Sequence, residues 1–160
     1  MHERATELIR ELRLEPHPEG GYFREVFRSE HKVKPLDQRP ERSALTAIYF
    51  LLVKGQHSRW HRVASDEAWH FHEGDPLVVY WIDDQNGVHE EVLASGPPIG
   101  RPLCVVPAGC WQAAKSRGEY SLVGCTVGPG FDFQDFEMIS PDSTALARLT
   151  ALNPAFRELV

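Results

Sequence analysis

The chain has 160 residues, of which 42% are apolar, and its 17 Lys and Arg against 23 Asp and Glu give a net charge of −6. This length predicts one domain with a single core, spanning residues 1–160, and the acidic balance disfavours nucleic acid or an anionic membrane surface as a partner. The longest mostly apolar run, from Leu45 to Val53, is too short to span a bilayer. The N-terminal sequence is charged and unlike a secretory signal, so we expect a cytoplasmic protein with no membrane partner.

The first predicted element is a short amphipathic helix. Ala5, Leu8, Ile9 and Leu12 recur at helical spacing, and the helix is predicted to end before Pro16. We expect this helix to pack against the rest of the chain and to carry no chemistry.

Beyond the helix, short runs rich in Val, Ile, Tyr, Phe and Trp are separated by clusters of Gly, Pro, Asn and Asp. This pattern is typical of an all-β sandwich. The predicted strands are Tyr22–Arg28, Ala44–Val53, Trp60–Val63, Glu67–Glu73, Leu77–Ile82, Val88–Leu93, Leu103–Val106, Trp111–Ala114 and Tyr120–Val127.

Two connections between these runs have their own signals. Asn86-Gly87 accepts positive φ at both central positions of a type I′ turn, so residues 77–93 are predicted to form one hairpin. The polar segment from Glu30 to Arg42 is predicted to be a surface loop, with a lid over a barrel mouth as the alternative.

The C-terminal region is predicted to contain a second helix. Ser140-Pro141 has the signature of a helix start, and Asn153-Pro154 predicts the point where the helix is interrupted.

Two groups of side chains that often bind metals are predicted not to do so here. Cys104, Cys110 and Cys125 are an odd number without CxxC spacing, which argues against a disulfide framework and a structural zinc site. His70 and His72 lie two residues apart on one predicted strand, but no third ligand accompanies them. We expect buried thiols for the cysteines and an interface or hydrogen-bonding role for the histidines.

The segment GQHSRWHRVASDEAWHFHEG, from Gly55 to Gly74, has the spacing of a metal-binding β-hairpin. His61 follows Gly55 after five residues, and Glu67 precedes Gly74 with six residues between them. Val63 stands where the second His of a His-x-His pair would be expected. One expected ligand is therefore missing from the pattern.

This spacing resembles the first motif of the cupin superfamily, and Pro107, Gly109 and Gln112 are similar to the second motif, with Gln112 in place of a His. A more detailed resemblance, to the small single-domain cupins labelled cupin-5, extends over nearly the whole chain. The blocks that carry it are HPEGGYFRE, TAIYFLL, WHRVASDEAWHFHEG, VVPAGCWQAA and LVGCTVGPGFDFQDFEM. The resemblance implies an all-β double-stranded β-helix, the cupin jelly roll, with short N- and C-terminal helices. It also implies a homodimer formed through sheet edges.

Strand alternation indicates which of the motif side chains face the same way. Arg59, His61 and Val63 are predicted to share one face of their strand, because alternate side chains point to the same side. The resemblance implies that this face lines the barrel lumen. There His61, Glu67 and Gln112 are expected to converge on one spot.

The altered motif argues against a bound cofactor. If a metal is present, its ligands are His61, Glu67 and Gln112, but catalytic zinc or iron sites generally have three His or carboxylate ligands. An amide is a weak replacement, so we expect no metal, with a divalent metal as the alternative. A structural alternative for His61 and Glu67 is a buried hydrogen-bonded pair.

Without a metal, His61 beside Glu67 is suited to general acid–base catalysis. The carboxylate would raise the pKa of His61, and an apolar lumen would lower it. The metal-free sugar epimerases of the superfamily use a His and a Tyr, and the resemblance implies that His61 is the base here. Tyr49, on the strand before the first motif, is the first candidate for the proton donor; the alternatives are Tyr22, Tyr80 and Tyr120.

Aromatic and cationic side chains near the motifs are predicted to bind the ligand together with Gln112. Trp69 and Phe71 alternate along one strand and suit a mostly apolar pocket, with ordinary core packing as the alternative. Arg59 and Arg24 are the cations expected to reach the lumen, where a guanidinium would favour an anionic ligand. Ion pairing with nearby glutamates is the alternative for both arginines.

Three functions remain open at this point, all with a small-molecule ligand in the barrel. The first is a metal-independent isomerase or epimerase acting on a small polar or sugar-like substrate. The second is a binding or sensing module without catalysis. The third is a metal-dependent oxygenase or lyase. The altered first motif favours the first two.

Overall fold

The computed structural model describes residues 1–85 and 87–160. Two α-helices lie near the ends of the chain, α1 (Glu3–Glu11) and α2 (Thr144–Leu152), and 3-10 helices span Phe133–Asp135 and Pro154–Leu159. The strands are β1 (Glu15–Pro16), β2 (Tyr22–Arg28), β3 (Lys32–Val33), β4 (Arg42–Ser43), β5 (Thr46–Val53), β6 (His57–Val63), β7 (Asp66–Gly74), β8 (Leu77–Ile82), β9 (Val88–Leu93), β10 (Leu103–Val106), β11 (Trp111–Ser116), β12 (Tyr120–Gly128) and β13 (Phe136–Met138).

The strands form two antiparallel sheets. The larger sheet has the order β1-β2-β5-β12-β7-β10, and the smaller one has the order β13-β6-β11-β8-β9. A separate two-stranded ribbon joins β3 to β4. The two-sheet architecture confirms the all-β class expected from the sequence.

The predicted strands are all present, with shifts of a few residues at their ends. The pairing of β8 with β9 runs from Leu77 opposite Leu93 to Ile82 opposite Val88, which confirms the hairpin. The predicted turn type depends on Asn86, which lies outside the described residues. The β3–β4 ribbon was not predicted, because two-residue strands carry no detectable alternation.

The main core lies between the two sheets. Phe50, Trp69 and Val123 of the larger sheet pack in one buried cluster with Leu77 and Val79 of the smaller sheet. Burying each such side chain contributes about 1.5–3 kcal/mol. The alternation of apolar and polar residues along the strands produces this core, since inward-facing positions recur every second residue.

Helix α1 covers part of the outer face of the larger sheet. Ala5 and Leu8 of the helix are buried against Leu51, Val53 and Leu122. The predicted amphipathic helix is therefore confirmed, and its role is packing.

The C-terminal segment covers the outer face of the smaller sheet. Leu146 and Leu149 of α2 and Phe156 of the following 3-10 helix pack on Trp60 of β6. The indole nitrogen of Trp60 donates a hydrogen bond to the carbonyl of Phe156 at 2.9 Å. Helix α2 begins after the cap residue Ser143, later than predicted, because the Ser143 hydroxyl accepts a hydrogen bond from a first-turn amide.

Within the described residues, neither α-helix has the length and apolar character needed to cross a membrane.

Candidate functional site

A small cavity lies between the sheets beside the first motif. Its volume is about 40 Å³, which is enough for one or two water molecules. Its polar lining consists of His17, Glu19, His61 and Glu67, and the rest of the wall is mainly apolar and includes Val63.

A β-bulge in β6 sets the direction of the side chains that reach this cavity. His61 lies opposite Gln112 and Ser58 lies opposite Ala114, so three steps along β6 match two steps along β11. The extra residue turns Ser58 and His61 to the same side of the sheet. Arg59 is exposed, and its guanidinium donates to the carbonyl of Pro18. The prediction that Arg59 shares a face with His61 is wrong, because simple alternation fails at the bulge.

His61 is held in one tautomer by the backbone. Its Nδ1 lies 2.7 Å from the carbonyl oxygen of Arg59. A carbonyl only accepts, so Nδ1 carries the hydrogen and Nε2 of the neutral ring presents a lone pair. Burial lowers the pKa of His61, and the nearby Glu67 carboxyl opposes this effect in part.

Glu67 is held by a chain of side-chain hydrogen bonds. The side-chain nitrogen of Gln112 donates to Oε2 of Glu67 at 2.6 Å, and the indole of Trp69 donates to Oε1 of Gln112 at 3.1 Å. Burial raises the pKa of Glu67, and the charges of His61 and the bond from Gln112 oppose this effect. The structure therefore brings His61 and Glu67 to one cavity, with Gln112 behind Glu67.

Glu19 and His17, which the motif analysis did not select, complete the polar lining. Oε2 of Glu19 lies 3.3 Å from Nε2 of His61 and 3.5 Å from Nδ1 of His17. The hydroxyl of Ser58 donates to Oε1 of Glu19 at 2.8 Å. Burial raises the pKa of Glu19 to about 8 and lowers the pKa of His17 to about 4.

Two glycines place Glu19 and His17 against β6. Gly20 has φ of +110°, and a side chain there would collide with the carbonyl of His57. Gly21 has φ of +72° and lies close to the backbone of β5. The signal in the sequence was the block HPEGG, in which two successive glycines follow an acid, the pattern of a backbone turn packed tightly on a neighbour.

The residues at the cupin metal position do not fit a metal ion. Val63 has no donor atom, and both ends of the Gln112 amide are used, by Trp69 and by Glu67. Within residues 1–85 and 87–160, no group of three or more His, Cys, Asp or Glu side chains is arranged to hold a metal.

The other predicted site residues lie away from the cavity. Tyr49 is on the outer face of the larger sheet, 6.0 Å from the ring of His72, because its neighbours Ile48 and Phe50 point inward. Arg24 is exposed on the same outer face and donates to a backbone carbonyl. The structure does not bring these residues together with His61.

The two predicted aromatic residues belong to the core between the sheets. Trp69 is buried there and reaches the site only through its bond to Gln112. Phe71 is half-buried against the same core. Both side chains support the site from behind.

An open groove of about 540 Å³ adjoins the cavity, and Val63 and Phe136 line both spaces. Arg39, which belongs to the segment predicted to be a loop or lid, lies at the edge of this groove. The carboxylate of Asp135 accepts hydrogen bonds from Arg39 at 3.0 Å and from Arg42 at 2.8 Å. These bonds fasten the segment beside the groove.

The chain is similar in sequence and in structure to known proteins. The family described as Cupin_5, Cupin superfamily (DUF985), matches residues 6–139. A hypothetical protein from Leishmania major is 35% identical with a TM-score of 0.82, over 98% of this chain and 96% of that one. Protein SO0799 from Shewanella oneidensis is 37% identical with a TM-score of 0.79, over 98% and 94%. The cupin-2 domain Rru_A2000 from Rhodospirillum rubrum, 14% identical with a TM-score of 0.60 over 91% and 87%, shares the fold. No curated protein matches the chain.

Proposed function

This chain belongs to the Cupin_5 (DUF985) family of the cupin superfamily, and on that premise we propose that it is a metal-independent isomerase or epimerase. Its substrate is a small polar or sugar-like carbonyl compound. The reaction is removal and return of a proton on a carbon next to the carbonyl group.

The observation that carries this proposal is the environment of His61. Its ring is 2% exposed, in one tautomer, and shares the cavity with two buried carboxyl groups, Glu19 and Glu67. The pKa of His61 is lowered and the pKa values of Glu19 and Glu67 are raised, all mainly by burial. A cavity that holds buried acid and base groups with strongly perturbed pKa values is typical of proton-transfer sites.

His61, Glu67 and Gln112 have different roles in this reaction. The neutral imidazole of His61 supplies the basicity, and the protonated carboxyl of Glu67 donates a hydrogen bond to the substrate oxygen. Gln112 orients Glu67. Only the reacting end of a substrate fits the 40 Å³ cavity, so the rest of the molecule lies in the adjoining groove.

Exchange of carbon-bound hydrogen tests the proposal without knowledge of the natural substrate. The protein is incubated in deuterium oxide with a panel of aldoses, ketoses and 2-keto acids, and deuterium next to the carbonyl is followed by NMR. We expect exchange with at least one class, lowered about 100-fold or more by His61→Asn. The asparagine amide keeps the hydrogen bond to the Arg59 carbonyl while the reactive nitrogen is removed.

The matched control is His72→Asn, on the outer face of the larger sheet, which should leave the exchange unchanged. Absence of exchange with every compound, or equal exchange by wild type and His61→Asn, would contradict the proposal.

The small size of the inner cavity favours a second candidate, a module that binds a small molecule in the groove without turnover. Binding to the same panel, measured by calorimetry, distinguishes the two. A binding module would bind a compound with equal affinity in wild type and His61→Asn and would catalyse no exchange.

We also propose that residues 1–160 form one domain and assemble as a cytoplasmic homodimer. Leu103 and Val105 are exposed on the edge strand β10, where a second copy can cover apolar side chains. The cysteines at 104, 110 and 125 are free thiols, in keeping with a reducing compartment. Light scattering of wild type should give twice the mass of one chain. The Val105→Asp variant should give the mass of a single chain.

A further inference from the structure

We propose that Glu19 is a catalytic residue of this cavity, which takes up the substrate proton while it passes its own proton to Nε2 of His61. This inference rests on the proposed function and deepens it. In this inference the substrate proton does not move directly to His61. It moves through the carboxyl group of Glu19, which belongs to the N-terminal segment.

Nε2 of His61 is available to accept a hydrogen bond. Nδ1 donates to the carbonyl of Arg59 at 2.7 Å, so Nε2 of the neutral ring is an acceptor. The atom that faces this acceptor is Oε2 of Glu19, at 3.3 Å.

Nδ1 of His17 also presents a lone pair to Glu19. The backbone amide of Glu19 donates to Nδ1 of His17 at 3.3 Å, which makes this nitrogen an acceptor too. It lies 3.5 Å from the same Oε2 of Glu19. Oε2 therefore stands between two imidazole nitrogens that both carry lone pairs.

These two lone pairs determine where the proton of Glu19 lies. An ionised Glu19 would place a buried negative oxygen between two lone pairs, with no donor on that side. A proton on Oε2 removes this conflict and gives His61 its hydrogen bond. Oε1 already accepts from Ser58 at 2.8 Å, so the proton belongs on Oε2.

The surroundings of Glu19 agree with a protonated carboxyl. The titratable groups around it are His17, His61, Glu67 and the Cys125 thiol, and Arg59 is the cation whose charge acts on it. Burial outweighs the effects of Arg59 and Ser58 and raises the pKa of Glu19 to about 8. The pKa of His17 is lowered to about 4, so His17 stays neutral beside it.

The proposed step balances in atoms and charge. The bond between carbon and hydrogen breaks, its electron pair stays on the substrate as an enolate, and the proton binds the Glu19 carboxyl. At the same time the proton on Oε2 moves to Nε2 of His61 and forms an imidazolium. Glu19 is neutral before and after, and the enolate and the imidazolium carry opposite charges. The reverse step returns a proton to the carbon, and no oxidant or reductant is needed.

Two measurements on Glu19→Gln test the inference. The glutamine amide can donate to His61 as the acid does, but it cannot accept a proton. Nitrogen-15 NMR of the histidine rings should show a transition of the His61 Nε2 shift near pH 8 in wild type and none in Glu19→Gln. In the deuterium assay, Glu19→Gln should lower exchange about 100-fold or more, whereas Glu25→Gln, an exposed control, should not.

Each result separates the two proposals. Exchange by Glu19→Gln at the wild-type rate, with His61→Asn inactive, would overturn the role of Glu19 and leave the proposed function intact. A wild-type His61 signal without a transition between pH 7 and pH 9 would overturn the shared proton. If wild type shows the NMR transition of His61 but no deuterium exchange, the proposed function is wrong, and the catalytic role of Glu19 is wrong with it.

Discussion

The side-chain nitrogen of Gln112 lies 2.6 Å from Oε2 of Glu67, with both residues buried between the sheets. The other end of the same amide accepts a hydrogen bond from Trp69. A position that holds a metal ligand in other cupins is thus a bridge between two buried side chains here. This bridge gives the buried carboxyl group of Glu67 a hydrogen-bond partner in an otherwise apolar interior.

The bridge predicts that Gln112→Met is strongly destabilising. Methionine has a similar volume but leaves the indole nitrogen of Trp69 and the Glu67 carboxyl without their partner. The free energy of unfolding should fall by about 2–4 kcal/mol, measured by urea denaturation. Gln134→Met, at an exposed position, is the control and should change it by less than about 0.5 kcal/mol. Equal stability of the two variants would contradict the role of the bridge.

The raised pKa of Glu19 predicts a fall in stability with rising pH. Its pKa is 4.5 in an exposed chain and about 8 in the fold, so the folded protein holds a proton that the unfolded chain releases. The histidines with lowered pKa values act in the opposite direction, because the unfolded chain still loses imidazole protons between pH 6.5 and pH 8; they are His17, His57, His61 and His72. Relative to Glu19→Gln, which shares these histidines, wild type should therefore lose about 1–2 kcal/mol of stability between pH 6.5 and pH 8.

Urea denaturation at the two pH values tests this prediction. Glu19→Gln lacks the contribution of Glu19 but keeps the contributions of the histidines and of Glu67, whose pKa is also raised. A loss of the same size in wild type and Glu19→Gln would show that Glu19 is not protonated in the fold.

The turn that carries Glu19 predicts a large effect of Gly20→Ala. The backbone has φ of +110° at Gly20, and the new methyl group would meet the carbonyl of His57. We expect a loss of about 2–4 kcal/mol from strain and the collision, together with displacement of Glu19 from His61. Thermal unfolding measures the first, and the histidine NMR signals measure the second. Gly55→Ala also has positive φ but has open space around it, so it should cost less.

The C-terminal segment predicts a stability contribution from Phe156. Its ring packs edge-on against Trp60 with 5.0 Å between ring centroids, and it is buried. Phe156→Ala should leave a cavity and cost about 3–5 kcal/mol. Phe133→Ala, where the side chain is 57% exposed, is the matched control and should have little effect. Denaturant unfolding that shows similar small losses for both would contradict this packing.

Local patterns in the sequence are sufficient to predict the fold class and most strands. Alternating apolar runs and turn residues are local signals, and the spacing from Gly55 to Gly74 was enough to select His61 and Glu67. The resemblance to the two cupin motifs implied that Val63 and Gln112 replace metal ligands. The fold class and the strands were predicted correctly because they depend on residues close together in the chain.

The set of side chains around His61 follows from the three-dimensional packing of the strands and was not predicted. Alternation predicted Arg59 on the same face, but an extra residue in β6 turns Arg59 to solvent and Ser58 inward. Glu19, more than 40 positions from His61 in the sequence, meets it through packing of the N-terminal turn on β6. A bulge and a contact between distant segments depend on the pairing of whole strands, so strand alternation does not predict them, and the block HPEGG indicates a tightly packed turn without naming its partner.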